Sequence, residues 1–453
     1  MAASLLAAGA RAQAPPLRCA GPPSAPVAPL PAREPTVQDY EQILQRQPRS
    51  ARDHYDRGVL HERMGRHADA ILDYSSAIGL DPCLAQAYER RGAANASLGQ
   101  FERATKDLDE AIRIDANSSS AHVNRGAIFE AMGDHRRALA EFSRAVALDP
   151  RSANARVRRG GSYELSGELE LAIQEYTEAM RINPREAQAF FLRGRTLIRQ
   201  RQFERALDDL DQAIVLDPRD AKAYQSRAAV FAAVGDHARS IKDYSEAISL
   251  DAQYALAYQG RGDAFMRSSQ PDLAIQDYTE AIRINPNSAY AHYARGLAHA
   301  GKRNYQGAVE DLTEAIRLKP DFAAAFRHRG MNHQKLDQLE RALADFDAAI
   351  RLDARDTVAL NELAWLLATS KQPQFRDGKR ALEAARAACT ITGWKIPSLF
   401  DTYAAALAEA GKFDDAVKWQ EAALESPEFA RAQGAGARAR LQLYREGKPY
   451  RVP

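Results

Sequence analysis

Arginine recurs nine times at intervals of 34 residues, and an acidic residue follows each arginine by 16 positions. The arginines are Arg57, Arg91, Arg125, Arg159, Arg193, Arg227, Arg261, Arg295 and Arg329. A planar guanidinium can bind a carboxylate through two hydrogen bonds, and it can equally hold a phosphate or another anion. The pattern is therefore either a ladder of anion sites or a set of internal ion pairs. Internal pairs are favoured because both partners disappear together after residue 356.

The other reactive residues form no catalytic or metal-binding motif. Ten histidines are scattered along the chain, and the pair His292 and His299 shares a helical face without a carboxylate cluster. The chain has no GxxxxGK[ST], GxGxxG, HExxH or GxSxG motif. The three separated cysteines make no CxxC pair, so neither a metal site nor a disulfide framework is expected. We predict no metal, no cofactor and no enzymatic activity.

Composition and charge are those of a folded protein without a dominant charge. Hydrophobic residues make up 45% of the 453 residues and charged residues 27%, which is typical of globular chains. The formal net charge is +2, whereas a nucleic-acid-binding protein usually carries a strong basic stripe. No run of about 18 apolar residues is present, so we expect no membrane span.

Nine sequence units of 34 residues run from residue 51 to residue 356. In each unit, positions 8, 20 and 27 are small and position 24 is Tyr, Phe or Leu. Small residues let two helices approach closely, and the bulky residue fills the remaining gap. Position 15 is often glycine and position 32 is often proline, which end the first and second helices. Each unit is therefore predicted to be a pair of helices that folds back near position 15.

This pattern resembles the tetratricopeptide repeat family over residues 51–426. The resemblance implies an all-α fold, a right-handed superhelical solenoid of antiparallel helix pairs. It also implies a concave groove, lined by the first helix of each pair, that binds peptides or other proteins. The end of the chain, from Trp419 to Tyr450, resembles the end of many bacterial proteins of this family.

Other segments flank the nine regular units. Small residues at 12 and 14 fit a signal-peptidase site, so residues 1–14 are interpreted as a possible export leader. Residues 15–35 are dense in proline and predict a disordered linker, and residues 36–48 predict a capping helix. Export to the periplasm is expected, with the cytoplasm as the alternative.

The regular spacing also changes toward the end of the chain. The stretch 370–378 is five residues longer than its counterparts, so residues 357–426 predict two atypical units. Residues 427–453 predict a closing helix and a tail. Terminal units of a solenoid are commonly atypical because one of their faces contacts water.

The groove of the second half should be basic and aromatic, and that of the first half should be mixed in charge. The predicted binding residues are Phe191, Arg195, Arg199, Lys222, Gln225, Tyr293, Arg327, Lys335, Asn361 and Trp365. Aromatic anchors beside positive charge suit an acidic protein segment with apolar side chains. We predict a monomeric, non-catalytic protein–protein interaction scaffold. The alternative is an RNA-binding helical-repeat protein, which would need a continuous basic groove, and Glu130 and Glu164 interrupt this one.

Overall fold

The computed structural model describes residues 48–452. In this range the chain forms 23 α-helices and one short 3-10 helix, and it contains no β-strand. The predicted leader at 1–14, the linker at 15–35 and all but the last residue of the predicted capping helix at 36–48 lie outside the described residues.

The chain divides into two compact units, which meet in sequence at residues 218 and 219. In the first unit the helices are α1 (Ala51–Arg63), α2 (His67–Leu80), α3 (Ala85–Ser97), α4 (Phe101–Ile114), α5 (Ser119–Ala131), α6 (His135–Leu148), α7 (Ala153–Leu165), α8 (Leu169–Ile182), α9 (Ala187–Arg199) and α10 (Phe203–Leu216). In the second unit they are α11 (Ala221–Ala233), α12 (His237–Leu250), α13 (Ala255–Arg267), α14 (Pro271–Ile284), α15 (Ala289–Gly301), α16 (Tyr305–Leu318), α17 (Ala323–Lys335), α18 (Leu339–Leu352), α19 (Thr357–Thr369), α20 (Gly378–Ile391), α21 (Pro397–Glu409), α22 (Phe413–Leu424) and α23 (Pro427–Arg445). The 3-10 helix, Pro373–Phe375, lies between α19 and α20.

Helices of 13 and 14 residues alternate through the regular part of the chain and pack as antiparallel hairpins. Their close approach requires the small residue at position 8. A Cβ atom on Gly126 would lie 2.7 Å from the Phe142 ring, and one on Gly58 would lie 2.6 Å from the Tyr74 ring. Such distances are shorter than van der Waals contact, so a larger residue would force the two helices apart.

The hairpins stack through a core rich in alanine. In the first hairpin Ala70, Tyr74 and Ala77 of α2 are fully buried, and they form one cluster with Ala87 of the following hairpin. The same arrangement recurs along both units, so each unit is an all-α helical-repeat solenoid. Because every hairpin buries its second face only against a neighbour, the stack and not the single hairpin is the stable structure.

The structure shows the state of two cysteines, and it shows whether any described helix could span a membrane. Cys83 is disulfide-bonded, although the sequence led us to expect no disulfide framework. Cys389 is a buried free thiol whose pKa is raised to about 11 by burial. Across residues 48–452 no helix is both long and apolar enough to cross a bilayer.

Candidate protein-interaction site

All nine predicted Arg–acid pairs form within their hairpins. The shortest nitrogen–oxygen distance in each pair lies between 2.6 and 2.9 Å. In the fifth hairpin, Arg193 Nε and Nη2 donate to the two carboxylate oxygens of Asp209 at 2.8 and 2.7 Å. Its Nη1 donates at 2.8 Å to Thr177 of the preceding hairpin. The guanidinium therefore ties the helices of one hairpin together and joins that hairpin to its neighbour.

Six histidines also belong to this ladder of ion pairs. Nδ1 of His54, His122 and His292 lies 3.2, 2.8 and 3.5 Å from the acid of its own hairpin. Nε2 of His61, His299 and His333 lies 3.5, 3.8 and 3.8 Å from the same kind of carboxylate. These histidines occupy positions 4 and 11, which flank the arginine at position 7 on one helical face. Their contacts are structural, and the spacing of the three positions was a signal that could have indicated them.

The first-helix face, meaning positions 2, 5, 6, 9, 12 and 13 of each first helix, carries a cleft of about 240 Å³ in the first unit. The residues that line the cleft come mainly from α7 and α9: Glu130, Val157, Arg158, Gly161, Glu164, Leu165, Tyr176, Gln188, Leu192, Arg195 and Arg199. Gly161 keeps the cleft open, because a Cβ added there would have only the Tyr176 hydroxyl within 4 Å, at 3.9 Å.

Glu164 is the electrostatic centre of this cleft. Its carboxylate is buried and accepts hydrogen bonds from Arg195 at 3.1 Å and from Arg199 at 3.4 Å. The Tyr176 hydroxyl donates to it at 3.3 Å, and burial together with this carboxylate raises the pKa of Tyr176. Arg195 also lies 5.8 Å from the ring centroid of the half-buried Phe191. The structure thus brings three predicted residues together, but it pairs both arginines with an acid of the protein itself.

Arg158 was not among the predicted binding residues, although it is an exposed cation of this cleft, as Arg195 and Arg199 are. In the described part of the chain no carboxylate lies within ion-pair distance of its guanidinium. It lies on α7, about one helical turn before Gly161 and about two turns before Glu164, which line the same wall. Its position in the repeat predicts that Arg158 lies on the first-helix face. Because Arg195 and Arg199 both bind Glu164, Arg158 is the cation of the cleft that is available to a partner.

In the second unit, the predicted residues Lys222 and Lys335 are exposed. Gln225 accepts a hydrogen bond from the Tyr254 hydroxyl at 3.4 Å. Tyr293 is half-buried, with its ring 4.7 Å from that of Phe322. Tyr293 therefore contributes part of its surface to the packing between hairpins, and its outer edge alone faces solvent.

Arg327 is held by the protein, because its Nη1 donates to Asp356 Oδ2 at 2.8 Å. Next to it, burial and the Arg327 charge lower the pKa of His328 to about 4, so this imidazole is neutral near pH 7. Burial raises the pKa of the neighbouring Glu362. Only part of the positive charge predicted for this face is therefore available to a ligand.

Trp365 differs most from the prediction, which treated it as a free aromatic anchor. The ring of Tyr450 lies 6.1 Å from the Trp365 ring, and the Arg440 guanidinium lies 5.3 Å from it. Asn361, one turn earlier on α19, is half-buried, and its buried Oδ1 has no hydrogen-bond partner among the described residues. Residues near the C-terminal end of the chain, Tyr450 and Arg440, therefore contact the ring that was predicted to be an anchor.

Helix hairpins that stack in register and present a cleft on their first helices define an α-helical-repeat protein. The chain belongs to the tetratricopeptide repeat family. Sequence models described as tetratricopeptide or TPR repeat match residues 37–83, 85–118, 123–187, 191–255, 262–302 and 289–322, which together are more than half of the chain. Proteins of this family serve in general as protein–protein interaction scaffolds, and they bind proteins or peptides.

Solved structures with a similar fold share little sequence with this chain. YrrB, described as a TPR protein with an unusual peptide-binding site, is 23% identical with a TM-score of 0.37, over 41% of this chain and 96% of YrrB. Pseudomonas aeruginosa pilF is 20% identical with a TM-score of 0.44, over 48% and 97% of the two chains. Yeast Tom70 is 16% identical with a TM-score of 0.40, over 87% and 96%. A search of curated protein sequences found no match.

Proposed function

We propose that this protein is a non-catalytic scaffold that binds an extended protein segment on its first-helix face. The observation that carries the proposal is the cleft of about 240 Å³ at Gly161, where the absence of a side chain keeps the space between two first helices open. Val157, Leu165 and Leu192 give its lining an apolar part. Polar groups at a few fixed points around an apolar cleft are typical of a site that orients a ligand.

The partner segment has an apolar side chain that enters the cleft and an acidic residue close to it. Arg158 is the exposed cation best suited to bind this acid, since Arg195 and Arg199 already bind Glu164. An exposed ion pair contributes little affinity by itself, on the order of 1 kcal/mol or less. The apolar side chain therefore supplies most of the affinity, and the acid mainly supplies orientation and a faster association.

A non-catalytic role is supported by the use that the fold makes of its reactive side chains. The histidines at positions 4 and 11 contact the ladder carboxylates, and the arginines at position 7 bind those same acids. Glu130 and Glu164 also line the cleft, which makes it less suited to the phosphates of RNA than to a protein segment. A useful comparison is binding to single-stranded RNA at about 0.15 M salt, where retention of the RNA would contradict this assignment.

The test fills the cleft and leaves the fold unchanged. Gly161→Trp places a large side chain in open space, and Gly79→Trp does the same on an exposed helical face away from the cleft. Proteins captured by affinity chromatography on the wild-type chain are identified by mass spectrometry, and the affinity of each is then measured for both variants. We expect Gly161→Trp to lose at least one partner that Gly79→Trp retains. A partner set that binds both variants equally well would contradict the proposal.

A second pair of variants tests the charge of the partner. Arg158→Glu reverses an exposed cation of the cleft, and Arg205→Glu reverses an exposed cation on the second helix of the fifth hairpin. Repulsion by an acidic segment should weaken binding to Arg158→Glu several-fold and leave binding to Arg205→Glu unchanged. The difference should shrink as salt is raised, because an exposed charge is screened. Equal affinities for the two variants at low salt would show that the partner has no acid at this point.

A further inference from the structure

The C-terminal tail, residues 446–452, returns to the first-helix face of the last hairpins. After α23 ends, Gly447 adopts a positive φ of 67° and the chain reverses direction. The Val452 amide then donates to the Thr369 carbonyl at 3.0 Å. Arg451 Nη1 donates to the Ala368 carbonyl at 3.2 Å. Both acceptors lie in the last turn of α19, where carbonyl groups have no partner within the helix.

The surface under the tail suits a positively charged, extended segment. Arg451 Nη2 lies 2.6 Å from a carboxylate oxygen of Glu409, and Arg376 lies 3.3 Å from the other oxygen. The helix C-terminus that ends at Thr369 adds partial negative charge. The Tyr450 ring lies beside Trp365. The surface thus offers an aromatic ring, a carboxylate and two backbone carbonyls, and the tail fills these places with Tyr450, Arg451 and Val452.

The attachment of the tail is separable from the core beneath it. Tyr444 on α23 is fully buried, and Arg440 binds Asp401 through a buried pair at 2.8 Å, so α23 is anchored before the tail begins. The tail adds two contacts of the Tyr450 ring, one with Trp365 and one with the Arg440 guanidinium at 5.4 Å, together with one ion pair and two hydrogen bonds to main-chain carbonyls. The Arg451 side chain remains 31% exposed. Segments held by few and partly exposed contacts open at a lower free energy than the core.

We propose that Trp365, Ala368, Thr369 and Glu409 form a binding site, here called the tail site, for a partner's segment in which an aromatic residue is followed by arginine and the next residue binds through its backbone amide. Residues 450–452 occupy the tail site within the same chain, and a partner segment of the same chemistry displaces them. This site has an acidic character and takes a basic segment, in contrast to the cleft at Gly161, so it extends the scaffold to a second class of ligand. Neither site requires the other to function.

The tethered tail already occupies the tail site, so an added peptide can be detected there only if it competes with the tail. A short tether gives the tail an effective concentration in the millimolar range, which a free segment must overcome. A free peptide therefore binds the wild-type chain weakly even when the site itself is intact. A full-length variant whose tail is released should bind the same peptide more tightly, by at least about tenfold.

The experiment measures fluorescence polarisation of a labelled peptide with the sequence of residues 446–453, EGKPYRVP, against three full-length chains. Arg451→Glu places a glutamate of the tail next to Glu409, and the repulsion between the two carboxylates releases the tail. Lys448→Glu makes the same change in charge at a side chain that contacts Glu446 and not the tail site. We expect the peptide to bind Arg451→Glu at least about tenfold more tightly than it binds the wild type or Lys448→Glu. Circular dichroism confirms that all three chains are folded.

A reversal of charge on both sides makes the test specific. Glu409→Arg alone also releases the tail, because Arg451 then faces an arginine. This variant should not bind the wild-type peptide, and it should bind a peptide in which glutamate replaces the arginine. If the wild-type peptide bound all chains with equal affinity, its binding would not involve the tail site, and the proposal would be overturned. Absence of binding to Arg451→Glu at about 1 mM peptide, the concentration that the tether supplies, would overturn it as well.

Discussion

At the scale of single residues, the same two positions of the hairpin are occupied in two physically different ways. Nine hairpins place arginine at position 7 and an acid at position 23, whereas the last two place Leu363 with Ala384 and Tyr403 with Trp419. The Tyr403 and Trp419 rings meet edge to face, with centroids 5.5 Å apart. A buried ion pair and an apolar pair can therefore close the same hairpin. The arginine of the ion pair also donates to the preceding hairpin in several repeats, which an apolar pair cannot do.

The Arg193–Asp209 pair should show strong energetic coupling. Arg193→Ala leaves a carboxylate that is only 6% exposed without its cation, and we expect a cost of about 2–4 kcal/mol. Arg193→Leu combined with Asp209→Ala copies the tenth hairpin and should cost much less than the two single changes added together. A double-mutant cycle from chemical denaturation measures the coupling. Additive single and double changes would show that the contact is energetically unimportant.

At the scale of helices, the turn of every regular hairpin demands a left-handed residue at position 15. Glycine provides it in five of the nine regular hairpins, for example Gly65 with a φ of 71°. The other four hairpins adopt the same conformation with a side chain present: Arg201 (φ 60°), Ser269 (φ 58°), Arg303 (φ 61°) and Asp337 (φ 57°). A left-handed conformation costs an ordinary L-residue roughly 1–2 kcal/mol relative to glycine. The fold thus imposes the turn where the local sequence does not favour it.

Arg201→Gly should stabilise the fifth hairpin by about 1 kcal/mol, because it removes the cost of a positive φ at an exposed side chain. Arg205→Gly is the matched control, since it removes the same side chain from an exposed position inside α10. Glycine inside a helix costs about 1 kcal/mol, so the control should lower the melting temperature while Arg201→Gly raises it. A decrease for both variants would mean that Arg201 makes contacts worth more than its strain.

The hairpins could be predicted from sequence because their cause is local and periodic. Small residues at positions 8 and 20 and the turn at position 15 follow directly from how closely two helices approach. The ion pairs could be predicted because positions 7 and 23 must face each other once the chain folds back. The pairing of Glu164 with Arg195 and Arg199 could not, because it depends on side-chain directions across two hairpins. The cover over Trp365 could not be predicted either, because residues 446–452 have no periodic pattern that indicates where they pack.

At the scale of the whole molecule, the chain is a series of interchangeable hairpins, and its functional features belong to particular places in that series. The ladder contacts recur with the period of the repeat, as Arg91 with Ser75 and Arg125 with Asp109 illustrate. The cleft at Gly161 and the tail site each occur at one place in the described chain. Stability should therefore depend mainly on the number of stacked hairpins, whereas binding should depend on which hairpins are present.

Deleting one complete hairpin separates these two dependences. Removing residues 85–118 or residues 153–186 leaves every remaining first helix with its own second helix, and the next hairpin can stack in the vacated place. Both deletions should keep the helical signal per residue in circular dichroism and lower the melting temperature moderately. Removing only residues 153–169 deletes α7, strands α8 without its partner and should cause far greater loss of structure. Equal damage from the 34-residue and 17-residue deletions would contradict the modular stack.

The deletions of residues 85–118 and of residues 153–186 should lower stability by similar amounts but should differ in their effect on binding. Residues 153–186 supply Val157, Arg158, Gly161 and Glu164, so their removal eliminates the cleft together with the acid that holds Arg195 and Arg199. Residues 85–118 contribute nothing to the lining of the cleft. A partner that binds the cleft should therefore be retained by the chain without 85–118 and lost by the chain without 153–186, as measured by calorimetry on both. Retention by both would place the partner on another surface of the stack, because only the chain without 85–118 keeps the cleft.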